Sequence, residues 1–214
     1  MKKSINIIFV IGVIIFLAYA YYSYSSGVTE YISDSFIFVG VLLGLYLLRW
    51  KFDISELSFI LVIVASMLHL SGVFGWYNQS PFIIQYDHLT HIVGLFGIAA
   101  VVFDIMKIYL VKSKFVNFML LAMMFLASLG IGSVVEQIEY LGYLKLGTGA
   151  GLLRFGGLGD TVFNEEILRA MDIIGGGWIN TMLDLNYNFI GAFIGILFMY
   201  SVNKFKLNKK RKIL

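Results

Sequence analysis

The chain has 214 residues, of which 59% are hydrophobic and only 14% charged, and its mean hydropathy is +0.86. A soluble domain carries about 25% charged residues, so the composition excludes a globular soluble protein and points to an integral membrane one. Cys is absent, which excludes disulfides, iron–sulfur centres, thiolate zinc sites and a cysteine nucleophile. The basic residues behind the net charge of +3 punctuate the ends of apolar runs, a distribution unlike that of a nucleic-acid-binding patch.

A membrane span needs about 20 mostly apolar residues to cross about 30 Å of hydrocarbon. In chain order six such runs are predicted, at roughly 5–23, 34–49, 55–75, 88–109, 115–143 and 177–201. The predicted fold is therefore all-α, a polytopic helix bundle forming a single integral domain over residues 1–214. Lys2-Lys3 with Ala18-Tyr19-Ala20 also looks like a secretory signal. The apolar run is long for a signal, and the aromatics after it suit an interfacial belt, so it is read as a retained span. The second run is the shortest. Thirteen of the sixteen Lys and Arg lie before span one, after span two, between spans four and five, and after span six. The positive-inside rule then places both termini in the cytoplasm, and the basic run from Asn203 to Leu214 reads as an anchor on anionic headgroups.

Between spans five and six lies a connection from about 144 to 176, with ten Gly between Gly142 and Gly177. Such a length without structure is unusual in a compact domain. Glu165 to Ile174 has the pattern of a short interfacial helix, and the glycines read either as a lid or re-entrant turn over the site, where Arg154 or Arg169 would meet a phosphate, or as a flexible spacer. Asn78-Gln79-Ser80 is a glycosylation sequon on the same predicted outer side.

The polar residues of the spans carry the functional signal. Asp87-x3-His91, Glu136-x2-Glu139 and Asp184-x3-Asn188 each put two polar side chains on one helix face. An ionisable group in a span costs roughly 2.5–3.5 kcal/mol on insertion scales, so such groups face partners or water. With the topology above, all three pairs fall in the outer half of the membrane. One shared site follows. His88 stands beside Asp87 at the interface, His69 reads as a packing histidine or a donor behind the site rather than a ligand, and Asp104 is expected to pair with Lys107. Gly191 and Gly195, Gly94 and Gly97, and Gly130 and Gly132 are expected to let helices approach closely.

These segments resemble the VanZ-like membrane proteins and the related YjdF-like inner-membrane family. The resemblance rests on Asp87-His88-Leu89-Thr90-His91, Glu136-Gln137-Ile138-Glu139 and Asp184-Leu185-Asn186-Tyr187-Asn188-Phe189-Ile190-Gly191-Ala192, and covers roughly residues 86–196. It implies a shared architecture and polar site rather than a named reaction. Two basic residues usual in that family, after the first Asp and before the last, are missing here, and His88 holds the first of those positions.

Three functions fit the residues. The first is an outer-leaflet site holding a divalent metal (Zn, Mn or Fe) and binding or acting on a lipid headgroup or lipid-linked envelope precursor at the cell membrane. His91, Glu136, Glu139 and Asp184 would be ligands, Asp87 and Glu139 acid–base groups, and His88, Asn188 and Arg154 substrate contacts. The second is a proton- or cation-coupled transporter component, and the third a scaffold whose polar cluster only fixes helix packing.

Overall fold

The computed structural model describes residues 3–77, 80–146 and 176–213. Among these residues six α-helices follow in order: α1 (Lys3–Ser26), α2 (Glu30–Phe52), α3 (Glu56–Leu70), α4 (Tyr86–Met106), α5 (Lys114–Leu146) and α6 (Gly176–Ile213). Short 3-10 turns extend α3 over Ser71–Phe74 and α4 over Lys107–Tyr109. Each of the six is long and apolar enough to cross a membrane. The one proline, Pro81, lies in the α3–α4 connection, where its missing N–H breaks no helix. Residues 147–175, with most of the Gly-rich connection, Arg154, Arg169 and the Glu165–Ile174 segment, and Asn78 and Gln79 of the sequon fall outside the described residues.

Helices α1, α2, α5 and α6 run longer than the apolar runs suggest, because polar residues at their ends continue the hydrogen-bonded ladder, whereas α3 and α4 stop short of the predicted ends and pass into the 3-10 turns. The second span is corrected at both ends: α2 runs from Glu30 to Phe52 rather than from 34 to 49, and has 23 residues. The shortest of these six helices is α3, with 15 residues.

Reversals are made by residues that tolerate a left-handed backbone. Gly27 (φ 78°) closes α1 and Gly75 (φ 79°) ends the turn after α3. Asp53 (φ 47°) caps α2, and Asp is among the few non-glycine residues that enter this region readily.

Two apolar clusters fill the bundle. Phe16, Leu42, Phe59 and Ile63 join α1, α2 and α3, while Ala99, Phe103, Met124 and Ile196 join α4, α5 and α6. Leu57 and Leu61 of α3 pack on the second cluster, so α3 links the two halves. The outward side of α5 carries Phe115, Phe118, Leu126 and Val134, all exposed, as a lipid-facing helix requires.

At the α2–α3 turn, the buried Asp104 accepts from Ser55 N–H at 2.7 Å, Ser58 Oγ at 2.6 Å and the expected Lys107 Nζ at 2.7 Å. Lys107 also donates to the Asp53 carbonyl at 2.8 Å. Every charge in this knot has a partner, which makes it a structural tie between the end of α4 and the start of α3.

Apolar attraction is weak between helices in lipid, so close backbone approach and polar contacts hold them together. The α4–α6 contact shows this most directly. A Cβ on Gly191 would fall on the Ile92 carbonyl group, and one on Gly195 would lie 2.8 Å from Ala99 Cβ and 3.0 Å from Phe96 O. Gly97 approaches the Leu61 backbone of α3, and Gly132 of α5 sits against Leu95 and Asn188. Gly94 and Gly130 face open space and do not mediate the close approach expected of them. Gly191→Ala should therefore lower stability by about 1–3 kcal/mol through overpacking, whereas Gly130→Ala should leave it unchanged or raise it by up to about 1 kcal/mol through helix propensity. Equilibrium unfolding of both variants in detergent micelles measures the difference.

Candidate functional site

The start of α4, the C-terminal third of α5 and the start of α6 meet at the end of the bundle that carries the α3–α4 connection. The start of α4 is pinned there by Tyr86, whose hydroxyl donates to the Leu68 carbonyl at the end of α3. Its ring lies edge-on to Trp76 and Tyr77 and stacks on Phe82. Asp87 and His91 then stand one turn apart on the face turned toward α5 and α6.

His91 is the centre of the cluster. Its Nδ1 lies 3.1 Å from Glu136 Oε1 and 3.3 Å from Asn188 Oδ1. Its Nε2 lies 3.4 Å from Asp87 Oδ1 and 3.6 Å from Asp184 Oδ1. Asn188 Nδ2 donates to Glu136 Oε1 at 2.7 Å, which turns the amide oxygen toward the imidazole. Glu136, Asp184 and Asn188 are each only 1% exposed.

Two overlapping triplets of ligand atoms share the imidazole: Asp87, His91 and Asp184, and His91, Glu136 and Glu139. Within each, all three atoms lie within 4.8 Å of one another. At that separation two ionised carboxylates repel by about 3–4 kcal/mol at an effective dielectric constant of about 20. One imidazole carries at most one positive charge, against three carboxylates that contact it. Protons or a bound cation must supply the remainder.

The unsatisfied atoms point the same way. Among the described residues, the buried side-chain polar atoms without a hydrogen-bond partner are Gln85 Oε1, His88 Nε2, Glu136 Oε2, Thr181 Oγ1 and Asp184 Oδ1. All five belong to this end of α4, α5 and α6. Buried polar atoms are nearly always partnered, so their concentration in one place singles out this end of the bundle as the candidate site.

The structure thus brings together Asp87, His91, Glu136, Glu139, Asp184 and Asn188 from three helices. His88 is also buried, but its ring stacks on Tyr187 at 3.9 Å between centroids, on the flank of the cluster. His69 lies elsewhere: its Nε2 is 3.0 Å from Asp34 Oδ2 and its Nδ1 is 3.0 Å from the Tyr77 hydroxyl. Asp34 escaped the sequence reading because span two was begun at that residue, which made it look like a helix end. The signal was Glu30-x3-Asp34, which extends the helix one turn earlier and places Asp34 inside it.

Residues 5–205 match the model of a family described as "Predicted membrane protein (DUF2238)", and the chain belongs to that family. No curated protein and no solved structure matches it.

Among the described residues, Asn188 supplies the amide bonded into the centre of the cluster. Asn188→Leu removes the donor to Glu136 and the acceptor facing His91, and should cost about 1–3 kcal/mol for the buried groups left unpaired. Unfolding in detergent, compared with Asn186→Leu two residues away, measures that cost.

Proposed function

We propose that this member of the family binds a divalent cation among His91, Glu136, Glu139, Asp87 and Asp184, and uses the site to bind or act on the headgroup of an amphipathic envelope substrate. The observation that carries the reading is the excess of buried carboxylates around a single imidazole, with Glu136 Oε2 and Asp184 Oδ1 left without a hydrogen bond among the described residues. A cation offsets the repulsion and engages these oxygens at once. Imidazole and carboxylate donors suit Zn, Mn or Fe. His91, Glu136, Glu139 and Asp184 would hold the ion, which when bound supplies an electrophile and lowers the pKa of a coordinated water. Asp87, one turn from His91, would orient the imidazole or act as a general base.

The bias of Lys and Arg supports placing both termini in the cytoplasm and this site in the outer leaflet of a cell membrane. There it would meet lipid headgroups and lipid-linked precursors. The likeness of the three motifs to VanZ-like and YjdF-like proteins supports an envelope role. A complete transport path is disfavoured by the apolar stretch of α4 below the site, where Leu95, Ala99, Ala100, Val102 and Phe103 are buried.

Elemental analysis of the detergent-purified protein tests the reading. The wild type should carry at least one transition-metal ion per chain, and Glu136→Gln combined with Asp184→Asn should lose it while remaining folded. A metal-free wild type that takes up neither Mn nor Zn on addition would overturn the proposal.

A further inference from the structure

A second acid–base cluster stands at the same end of the bundle, built from α2, α3 and the α3–α4 connection. Asp34 is 1% exposed and pairs at 3.0 Å with His69 Nε2. The imidazole is lodged edge-on among Tyr31, Phe38 and Tyr77, at centroid distances of 5.9, 5.5 and 6.0 Å. Its Nδ1 lies 3.0 Å from the Tyr77 hydroxyl. That hydroxyl is 3.5 Å from Thr90 Oγ1, whose own proton goes to the Asp87 carbonyl at 2.7 Å. The line of polar atoms therefore runs from the buried Asp34 to the half-buried Tyr77, beside the helical turn that carries Asp87 and His91.

The geometry admits two proton arrangements. With a neutral His69, the Asp34 carboxylate fixes the proton on Nε2, and Nδ1 accepts from Tyr77. With an imidazolium, Nε2–H donates to Asp34, Nδ1–H donates to Tyr77, and the Tyr77 proton turns toward Thr90 or a ligand. In both arrangements the Asp34 carboxylate accepts from Nε2–H.

We propose that Asp34, His69 and Tyr77 form a proton relay serving the neighbouring carboxylate–histidine site, with Tyr77 exchanging a proton with an oxygen of an anionic phosphate headgroup held there. The Tyr77 O–H bond breaks as the headgroup oxygen gains the proton. The His69 Nδ1–H bond breaks to restore the tyrosine, and a neutral imidazole remains with its Nε2 proton on the Asp34 side. The reverse sequence removes a proton from the headgroup. Tyr77 is the group that touches the ligand; His69 and Asp34 are positioning residues that act through it. The inference rests on the headgroup reading of the site above.

The chain has three histidines, which makes nitrogen-15 histidine labelling a direct test. The labelled full chain is placed in phosphatidylethanolamine nanodiscs, with and without phosphatidic acid and with zinc, and each ring is assigned by substitution. His69 should carry its proton on Nε2 in the neutral form. Its Nδ1 resonance should shift when phosphatidic acid is present, and Tyr77→Phe should abolish that shift while zinc still moves His91. A His69 protonated only on Nδ1, a resonance indifferent to phosphatidic acid, or an equal response in Tyr77→Phe would each overturn the relay. The wild-type tautomer and lipid response decide the matter even where Tyr77→Phe does not fold. A silent His91 with a responsive His69 would sink the metal reading and leave the relay standing.

Discussion

The approach of α6 to α4 at Gly191 is the constraint on which the rest depends. Only a residue without a Cβ lets the two backbones come this close, and Asn188 and Asp184 lie one and two turns along α6 from that contact. Their side chains reach His91 because the helices touch there. Gly132 has a lesser part on α5, where an added Cβ would lie 3.0 Å from the Leu95 side chain and 3.4 Å from the Asn188 amide nitrogen, one turn before Glu136. Glycine contacts whose immediate role is packing thus set the spacing of ionisable groups in the site.

The two ends of α4 make a useful contrast. Asp87 and Asp104 are 17 residues apart, about 25 Å along the axis at 1.5 Å per residue, and both are buried. Asp104 accepts three hydrogen bonds, one from an ammonium group. At the other end, carboxylates gather around an imidazole that cannot neutralise them, and several buried atoms have no partner among the described residues. Both ends place charge in an apolar setting, but one is closed in hydrogen-bonding terms and the other is open. That difference separates a tie from a site more sharply than burial or charge alone.

The second cluster adds a half of the molecule that the motifs left out. Asp34, His69 and Tyr77 belong to α2, α3 and the connection after it, whereas the carboxylate site is made by α4, α5 and α6. Thr90 and Tyr86 join the two, one by a hydroxyl and the other by a wedge of aromatic rings. The N-terminal helices thereby place titratable groups beside the site, in addition to packing around it.

Much of this was legible in the chain itself. Apolar length decides that a helix can span a bilayer, and i, i+3 and i, i+4 spacing decides which polar residues share a face, so six spans and three polar pairs follow from local rules. The Asp104–Lys107 pair was equally local. Which glycines are contacts and which face open space was not legible, because Gly130 and Gly191 read alike until a neighbouring backbone is present. Nor was the partnership of His69 with Asp34, whose residues are 35 apart in sequence and meet only when α2 and α3 pack. Sequence by itself determined the helices, their polar faces and the shared end at which those faces lie. Tertiary packing alone decided that His91 is the centre and that His69 belongs to a separate cluster, because hydrogen-bond partners are set by distances of a few ångströms between helices, which no spacing along one helix encodes.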